Sequence, residues 1–135
     1  MRQANLFQWD VEVWQNDRQG NRTGPRHRSV LRFDTQCEKS NWVAENIVHQ
    51  LGAQTVDLVR SKEFIGFNGH LITASCETTL WFENIQGGST RSAVFLVSSV
   101  VPFQILLGAD DCVSLNIISL PRFLGLAARK PSKST

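Results

Sequence analysis

The chain has 135 residues, of which 41% are hydrophobic, and a formal net charge of +2. This length suits one domain with a single modest core. The weak charge and the lack of a basic stripe interleaved with aromatic residues give no argument for nucleic-acid binding. No apolar run reaches the roughly 18 residues that a membrane-spanning helix needs, so no membrane association is expected. Without a secretion-signal pattern or a disulfide framework, an intracellular protein, cytoplasmic or nuclear, is expected.

The first predicted element has alternating apolar and polar residues. One face of the first segment carries Phe7, Trp9, Val11 and Val13, which predicts a half-buried strand. Trp14 breaks the alternation, and an exposed position suited to a subunit contact is expected for it. Residues 15–28 are polar and predict a long hairpin loop, with turn-forming residues at Gly20, Gly24 and Pro25. Residues 29–33 then predict a second strand that leads to Asp34.

A helix is predicted soon after Asp34, because apolar residues recur with helical spacing at Val43, Ile47 and Leu51. Ser40 or Asn41 is expected to cap its start, and Gly52 is expected to end it in the left-handed conformation.

Strands are predicted again beyond this helix. Residues 56–60 predict a short strand, and the Asn68–Gly69 pair predicts a hairpin because both residues tolerate positive φ. A long strand and its partner follow around the turn at Gly87–Gly88. Residues 103–108, FQILLG, are apolar on both faces and predict a strand buried on both sides.

The last segments carry weaker signals. Asp110 and Asp111 suit the start of a helix, while residues 112–120 fit a short helix, a strand, or one followed by the other. Residues 1–124 are predicted to form the domain, and residues 125–135 a flexible basic tail. The predicted fold class is all-β with one clear helix after Asp34 and a short C-terminal helix among the alternatives.

Three motifs occur in a specific order along this pattern. They are VLRFDTQ at residues 30–36, NWVAENIVHQLG at residues 41–52 and FQILLGADD at residues 103–111. Together they resemble the retropepsin family of retroviral and cellular retroviral-like aspartic peptidases, over about residues 9–120. Each motif alone is weak, and their order carries the resemblance. It implies the half-barrel fold of that family.

The resemblance also implies a set of site residues. Asp34, Thr35 and Gln36 would form the catalytic loop, with Gln36 where the family has glycine. Leu106, Leu107 and Gly108 would support that loop. A flap that closes over substrate would be formed by Gly66, Phe67, Asn68 and Gly69.

Hydrolysis in this family uses two carboxylates that share one proton and activate a water molecule, without a metal or cofactor. Asp34 belongs to the only Asp-Thr pair in the chain. The resemblance therefore implies a homodimer that joins two copies of Asp34 and cleaves a peptide or protein substrate. An unrelated small β-barrel binding protein is the alternative that composition alone allows.

Gln36 leaves the catalytic interpretation open. A side chain at a glycine position can block the water or substrate, hydrogen-bond Asp34, or turn towards solvent and leave the two carboxylates usable. The chain is therefore expected to be either an active aspartic endopeptidase or a catalytically silent dimerisation or peptide-binding module. Asp110 or Asp111 as a second acid is a weaker alternative.

The sequence gives little support for a catalytic cysteine or for a metal site. Cys37 could act as a nucleophile with His27, His49 or His70 as its base, but no cysteine-peptidase signature accompanies it. The three histidines lack the spacing of zinc ligands, so no metal site is expected. His49 is expected to be a partly exposed residue of the helix.

Overall fold

A computed structural model describes residues 8–33, 40–66, 70–101 and 103–115. Strands dominate this part of the chain, which confirms the predicted all-β class. Two short helices accompany them. The elements in chain order are β1 (Gln8–Asn16), β2 (Arg22–Phe33), β3 (Trp42–Ala44), α1 (Glu45–Leu51), β4 (Val56–Gly66), β5 (His70–Asn84), β6 (Arg91–Ser98), β7 (Ile105–Leu107) and α2 (Ala109–Ser114). The predicted tail at 125–135 lies outside the described residues.

Six of these strands close into a β-barrel. The order around the ring is β1, β2, β7, β3, β6 and β5, and the pairing of β1 with β5 completes it. Strand β4 pairs with β5 and lies outside the ring. The late strand β7 is inserted between two earlier neighbours, parallel to β2 and antiparallel to β3.

Two hydrophobic clusters occupy opposite faces of the barrel wall. The inner cluster receives residues from all six barrel strands and both helices, and it includes Leu31, Phe33, Val43, Ile105 and Leu107. The outer cluster consists of Trp42, Ile72, Ala74, Leu96, Phe103 and Leu106, with Leu58, Phe64 and Val101 packed against it. Consecutive residues of a strand point to opposite faces, so Trp42 and Val43 fall into different clusters.

The strands of the first hairpin are longer than the sequence predicts, and the prediction of a long loop at 15–28 is wrong. Strand β2 begins at Arg22 and pairs with β1, so the connection covers only residues 17–21. Polar residues can form this strand because its first half is exposed. Gly24, with a φ of 74°, and Pro25 lie where the register between β1 and β2 shifts.

Trp14 corrects a second expectation, because it is buried and only 5% of it is exposed. The Arg26 guanidinium lies over the indole, 4.6 Å from the ring centroid. The indole Nε1 donates a hydrogen bond to Asn16 Oδ1 at 3.0 Å. Covered in this way, Trp14 does not offer the exposed ring that a subunit contact would need.

The predicted helix starts later than its sequence pattern indicates. Residues 42–44 form strand β3, which pairs with Leu96 and Val97 on β6 and with Leu106 and Ile105 on β7. Helix α1 then begins at Glu45, and the preceding Ala44 offers no side-chain cap. Its end agrees with the prediction, since Gly52 has a φ of 60° and a ψ of 32°. The cap at Ser40 or Asn41 is wrong because long-range pairing claims the segment that follows them.

The middle of the chain also differs in strand length. The short strand expected at 56–60 is part of the eleven-residue β4, whose pairing with β5 is irregular between Asp57 and Lys62. The long strand and its partner are present as β5 and β6. Residues 109–114 form α2. The segment 112–120, for which the sequence left helix and strand open, therefore begins as a helix. Residues 116–120 lie outside the described part.

Candidate active site

The triplet Asp34, Thr35 and Gln36 lies outside the described residues. Strand β2, which leads into it, is described as far as Phe33. Phe33 ends β2 and pairs with Leu107 of β7. Its ring lies on the inner face, where it meets the Trp9 ring edge-to-face with centroids 5.2 Å apart. The backbone is therefore held by a neighbouring strand and by ring packing one residue before Asp34.

The residues predicted to support the loop occupy three different positions. Leu107 is fully buried in the inner cluster beside Phe33, while Leu106 belongs to the outer cluster. Gly108 follows in extended backbone and precedes α2. This strand places apolar side chains on both faces of the sheet, as the FQILLG pattern predicts, because Ile105, Leu106 and Leu107 are all buried.

Asn41, which follows shortly after residues 34–39, forms hydrogen bonds that join several distant segments. Its side-chain Oδ1 accepts a hydrogen bond from the Gly108 N–H at 2.7 Å. Its Nδ2 donates to the Val94 carbonyl at 3.0 Å and to Asp111 Oδ2 at 2.6 Å. Its own carbonyl accepts from the Leu96 N–H at 2.8 Å. One buried side chain thus joins β6, the end of β7 and α2.

Sequence reasoning missed this role of Asn41, which it assigned to a helix cap. The partners lie 53 to 70 residues away along the chain, so no short-range pattern indicates them. The sequence signal that could have indicated this role is the position of Asn41, a polar residue between the predicted Asp34 loop and a buried strand. Such a residue needs hydrogen-bond partners when the fold buries it.

The hairpin predicted at Asn68–Gly69 is formed by β4 and β5, which pair as far as Gly66 and His70. Phe67, Asn68 and Gly69 at its tip lie outside the described residues. Below the tip, Phe64 packs against Trp42 of β3, with ring centroids 6.3 Å apart and an angle of 37° between the rings. Only 2% of Trp42 is exposed. The hairpin therefore lies against the outer cluster.

Asp110 and Asp111 both lie in the first turn of α2, which agrees with the helix-start interpretation. Asp110 is exposed, whereas Asp111 is half-buried and accepts the hydrogen bond from Asn41. Neither side chain caps the helix, whose N-cap residue is Gly108. Asp111 therefore has a structural partner, which favours its role as a helix-start residue over that of a second acid.

The histidines and cysteines are dispersed. His49 is exposed on α1, with its Nε2 3.7 Å from Glu45 Oε2, as expected of a partly exposed helix residue. His27 lies on β2, while Cys37 and the His70 side chain lie outside the described part. Within the described residues, no cluster of histidine, cysteine, aspartate or glutamate could hold a metal ion.

Neither helix in the described ranges is long and apolar enough to cross a membrane. Comparison of the chain with protein-family models and with curated proteins found no match in either case.

Proposed function

We propose that the chain is a retropepsin-like aspartic endopeptidase domain that acts as a homodimer. Asp34 from each copy would contribute one carboxyl group to a pair that shares a proton. The ionised carboxylate takes a proton from water, and the water oxygen attacks the peptide carbonyl carbon. The protonated carboxyl donates to the carbonyl oxygen, and collapse of the tetrahedral intermediate releases the amine and the acid. No metal or cofactor takes part.

The pairing of Phe33 with Leu107 carries this proposal. It brings the late Ile-Leu-Leu strand alongside the strand that leads directly to Asp34, which supports the resemblance. The same strand lies between β2 and β3, the strands that precede and follow Asp34 in the chain. The β4–β5 hairpin over the outer cluster further supports the proposal, because it lies in the flap position in chain order.

The proposed roles of the remaining residues follow from the resemblance. Thr35 would reach across to the partner loop, and Gly66, Phe67, Asn68 and Gly69 would form a flap that excludes water. Leu106, Leu107 and Gly108 would hold the Asp34 loop in place from below.

Peptide cleavage tests the proposal. Purified protein is incubated with a mixed peptide library between pH 4 and 7, with and without a transition-state-mimicking aspartic-peptidase inhibitor. Cleavage that the inhibitor blocks and that Asp34→Asn abolishes is expected. Asp110→Asn is the matched control, since Asp110 is an exposed carboxylate on α2, and it should retain the activity. Cleavage that survives Asp34→Asn would overturn the assignment of Asp34.

A catalytically silent peptide-binding or dimerisation module is the second candidate. One observation favours it: Gln36 stands where the family that the chain resembles has glycine. A side chain at that position can block the water or the substrate.

Gln36→Gly separates the two candidates. If the native residue suppresses catalysis, cleavage appears or rises sharply in the variant, and Asp34→Asn in the same background removes it. If the native protein already cleaves as fast as Gln36→Gly, the silent module is excluded. Sedimentation of the native protein as a monomer across its working concentrations would contradict the homodimer in both versions.

A further inference from the structure

Two adjoining pockets lie beside the start of α1 and share Glu45 and Ser99. The larger has a volume of about 500 Å³ and is lined by Ala44, Glu45, Asn46, Ser99, Val101, Phe103 and Gln104. The smaller has a volume of about 180 Å³ and is lined by Glu45, Ser61, Thr73, Ala74, Ser75, Cys76, Val97, Ser98 and Ser99. Glu45 therefore lines both pockets, which together form a cleft.

The cleft arises where several elements end or deviate. Strand β6 ends at Ser98, and α1 begins at Glu45 directly after β3. Ser61 lies within the irregular part of β4, between the paired residues Asp57 and Lys62, where the strand departs from regular pairing with β5. The backbone carbonyl of Gln104 accepts a hydrogen bond from the Ala44 N–H at 2.9 Å and ties the larger pocket to β3. The smaller pocket is thus walled mainly by strands β4, β5 and β6, whereas Ser99, Val101, Phe103 and Gln104 of the larger pocket lie in the connection between β6 and β7.

The lining has a clear chemical character. Among the described residues that line either pocket, Glu45 carries the single charged side chain. The smaller pocket is lined by the hydroxyl-bearing residues Ser61, Thr73, Ser75, Ser98 and Ser99, and the larger pocket includes the apolar residues Val101 and Phe103. A long basic side chain matches this combination, since its methylene stem packs on apolar surface and its cationic end pairs with a carboxylate.

Glu45 retains room for such a ligand. Its side chain is 50% exposed, and its neighbour on α1, His49, lies 3.7 Å away, beyond ordinary hydrogen-bond distance. A carboxylate has two oxygens with about four acceptor positions, so this contact leaves acceptor capacity unused.

We propose that the cleft around Glu45 binds a basic side chain of a peptide or protein, with arginine preferred to lysine. The planar guanidinium offers five donors, which suit a carboxylate beside a pocket lined by serine and threonine better than a compact ammonium does. Half-buried Val101 offers apolar surface for the arginine stem.

The proposed binding does not use the Asp34 carboxyl group. Gln104 Oε1 accepts a hydrogen bond from the Val30 N–H at 2.7 Å, which places the larger pocket level with Val30. Phe33, the last described residue before Asp34, lies three residues further along β2, about 10 Å away at the usual strand rise. Binding therefore does not require a working Asp34.

The test is an NMR titration of ¹⁵N-labelled full-length protein, in the native and Asp34→Asn forms. The probes are N-acetyl-arginine N-methylamide and its neutral isostere N-acetyl-citrulline N-methylamide. We expect both proteins to show saturable shifts of the Glu45, Asn46 and Ser99 amides with the arginine probe. Citrulline should bind at least about tenfold more weakly, because it lacks the cation for a charge-assisted hydrogen bond.

Two variants complete the experiment. Glu45→Gln should weaken arginine binding by about tenfold or more, whereas Asp10→Asn, which neutralises an exposed carboxylate on β1, should leave it unchanged. Equal binding of arginine and citrulline, undiminished binding by Glu45→Gln, or shifts confined to other residues would overturn the proposal. Because Asp34→Asn binds the probe without turnover, failure of the peptidase proposal and failure of this site give different results.

Discussion

The Asn41 amide lies 2.6 Å from Asp111 Oδ2 and joins the start of β3 to helix α2 across 70 residues of sequence. The same side chain accepts the Gly108 N–H, so it contacts both the residue that connects β7 to α2 and the helix itself. Asn41 is thus a polar connection between β6, the residue after β7 and α2.

Replacement of Asn41 tests this connection. Asn41→Ala should lower the free energy of unfolding by about 1–3 kcal/mol, because the buried Gly108 N–H and Val94 carbonyl lose their partner. Urea denaturation measures the change. Asn46→Ala is the matched control, since Asn46 is exposed on α1, and it should alter stability by no more than about 0.5 kcal/mol. Equal effects of the two substitutions would contradict a structural role for Asn41.

Leu107 provides a test of the late strand. Leu107→Ala should cost about 2–5 kcal/mol of unfolding free energy, because Leu107 has no exposed surface and lies beside Phe33 in the inner cluster. Val94, 47% exposed on β6, is the apolar control, and Val94→Ala should have a small effect. A loss at Leu107 no larger than that at Val94 would show that β7 is not packed as described.

Gly24 and Gly20 form a matched pair for the first hairpin. Both have positive φ, 74° and 86°, so alanine at either position should cost about 1–2 kcal/mol in backbone strain. A Cβ at Gly24 would also meet the Leu51 carbonyl oxygen at 3.3 Å, whereas nothing lies within 4 Å at Gly20. Thermal unfolding should therefore show a larger decrease in melting temperature for Gly24→Ala. The reverse order would contradict the contact between β2 and the end of α1.

Phe64 tests how the β4–β5 hairpin is held on the barrel. Phe64→Ala removes the ring that packs against Trp42, so the amides of β4 near Gly66 should exchange hydrogen faster with solvent. Hydrogen–deuterium exchange with mass spectrometry measures this rate. Glu63→Ala, at the neighbouring exposed position, should leave exchange near the native rate. Unchanged exchange in Phe64→Ala would show that the hairpin is held by other contacts.

Local patterns predict much of this fold. The alternation around Val11 and Val13 marks the inner face of β1, and the Asn68–Gly69 pair marks the β4–β5 hairpin. The same reasoning places Gly52 at the end of α1. In each case the deciding interactions lie within one element or between adjacent strands.

Long-range pairing explains the errors. Residues 42–44 have a helical pattern, yet β6 and β7 recruit them into the barrel, and this pairing outweighs local preference. Residues 22–28 resemble a loop in composition, but β1 provides their hydrogen-bond partners. The Asn41 connections and the cleft around Glu45 depend on several distant segments at once. No pattern within a short window contains that information.

The insertion of β7 between β2 and β3 has a consequence for the order of folding. Strands β2 and β3 cannot complete their pairing until Ile105–Leu107 has been synthesised, although both lie far earlier in the chain. Ring closure therefore depends on contacts of high sequence separation, which slow folding and keep strand edges unpaired for longer. During synthesis, barrel completion must wait until the ribosome has released residue 107, and chains that stop short of it should be prone to aggregation.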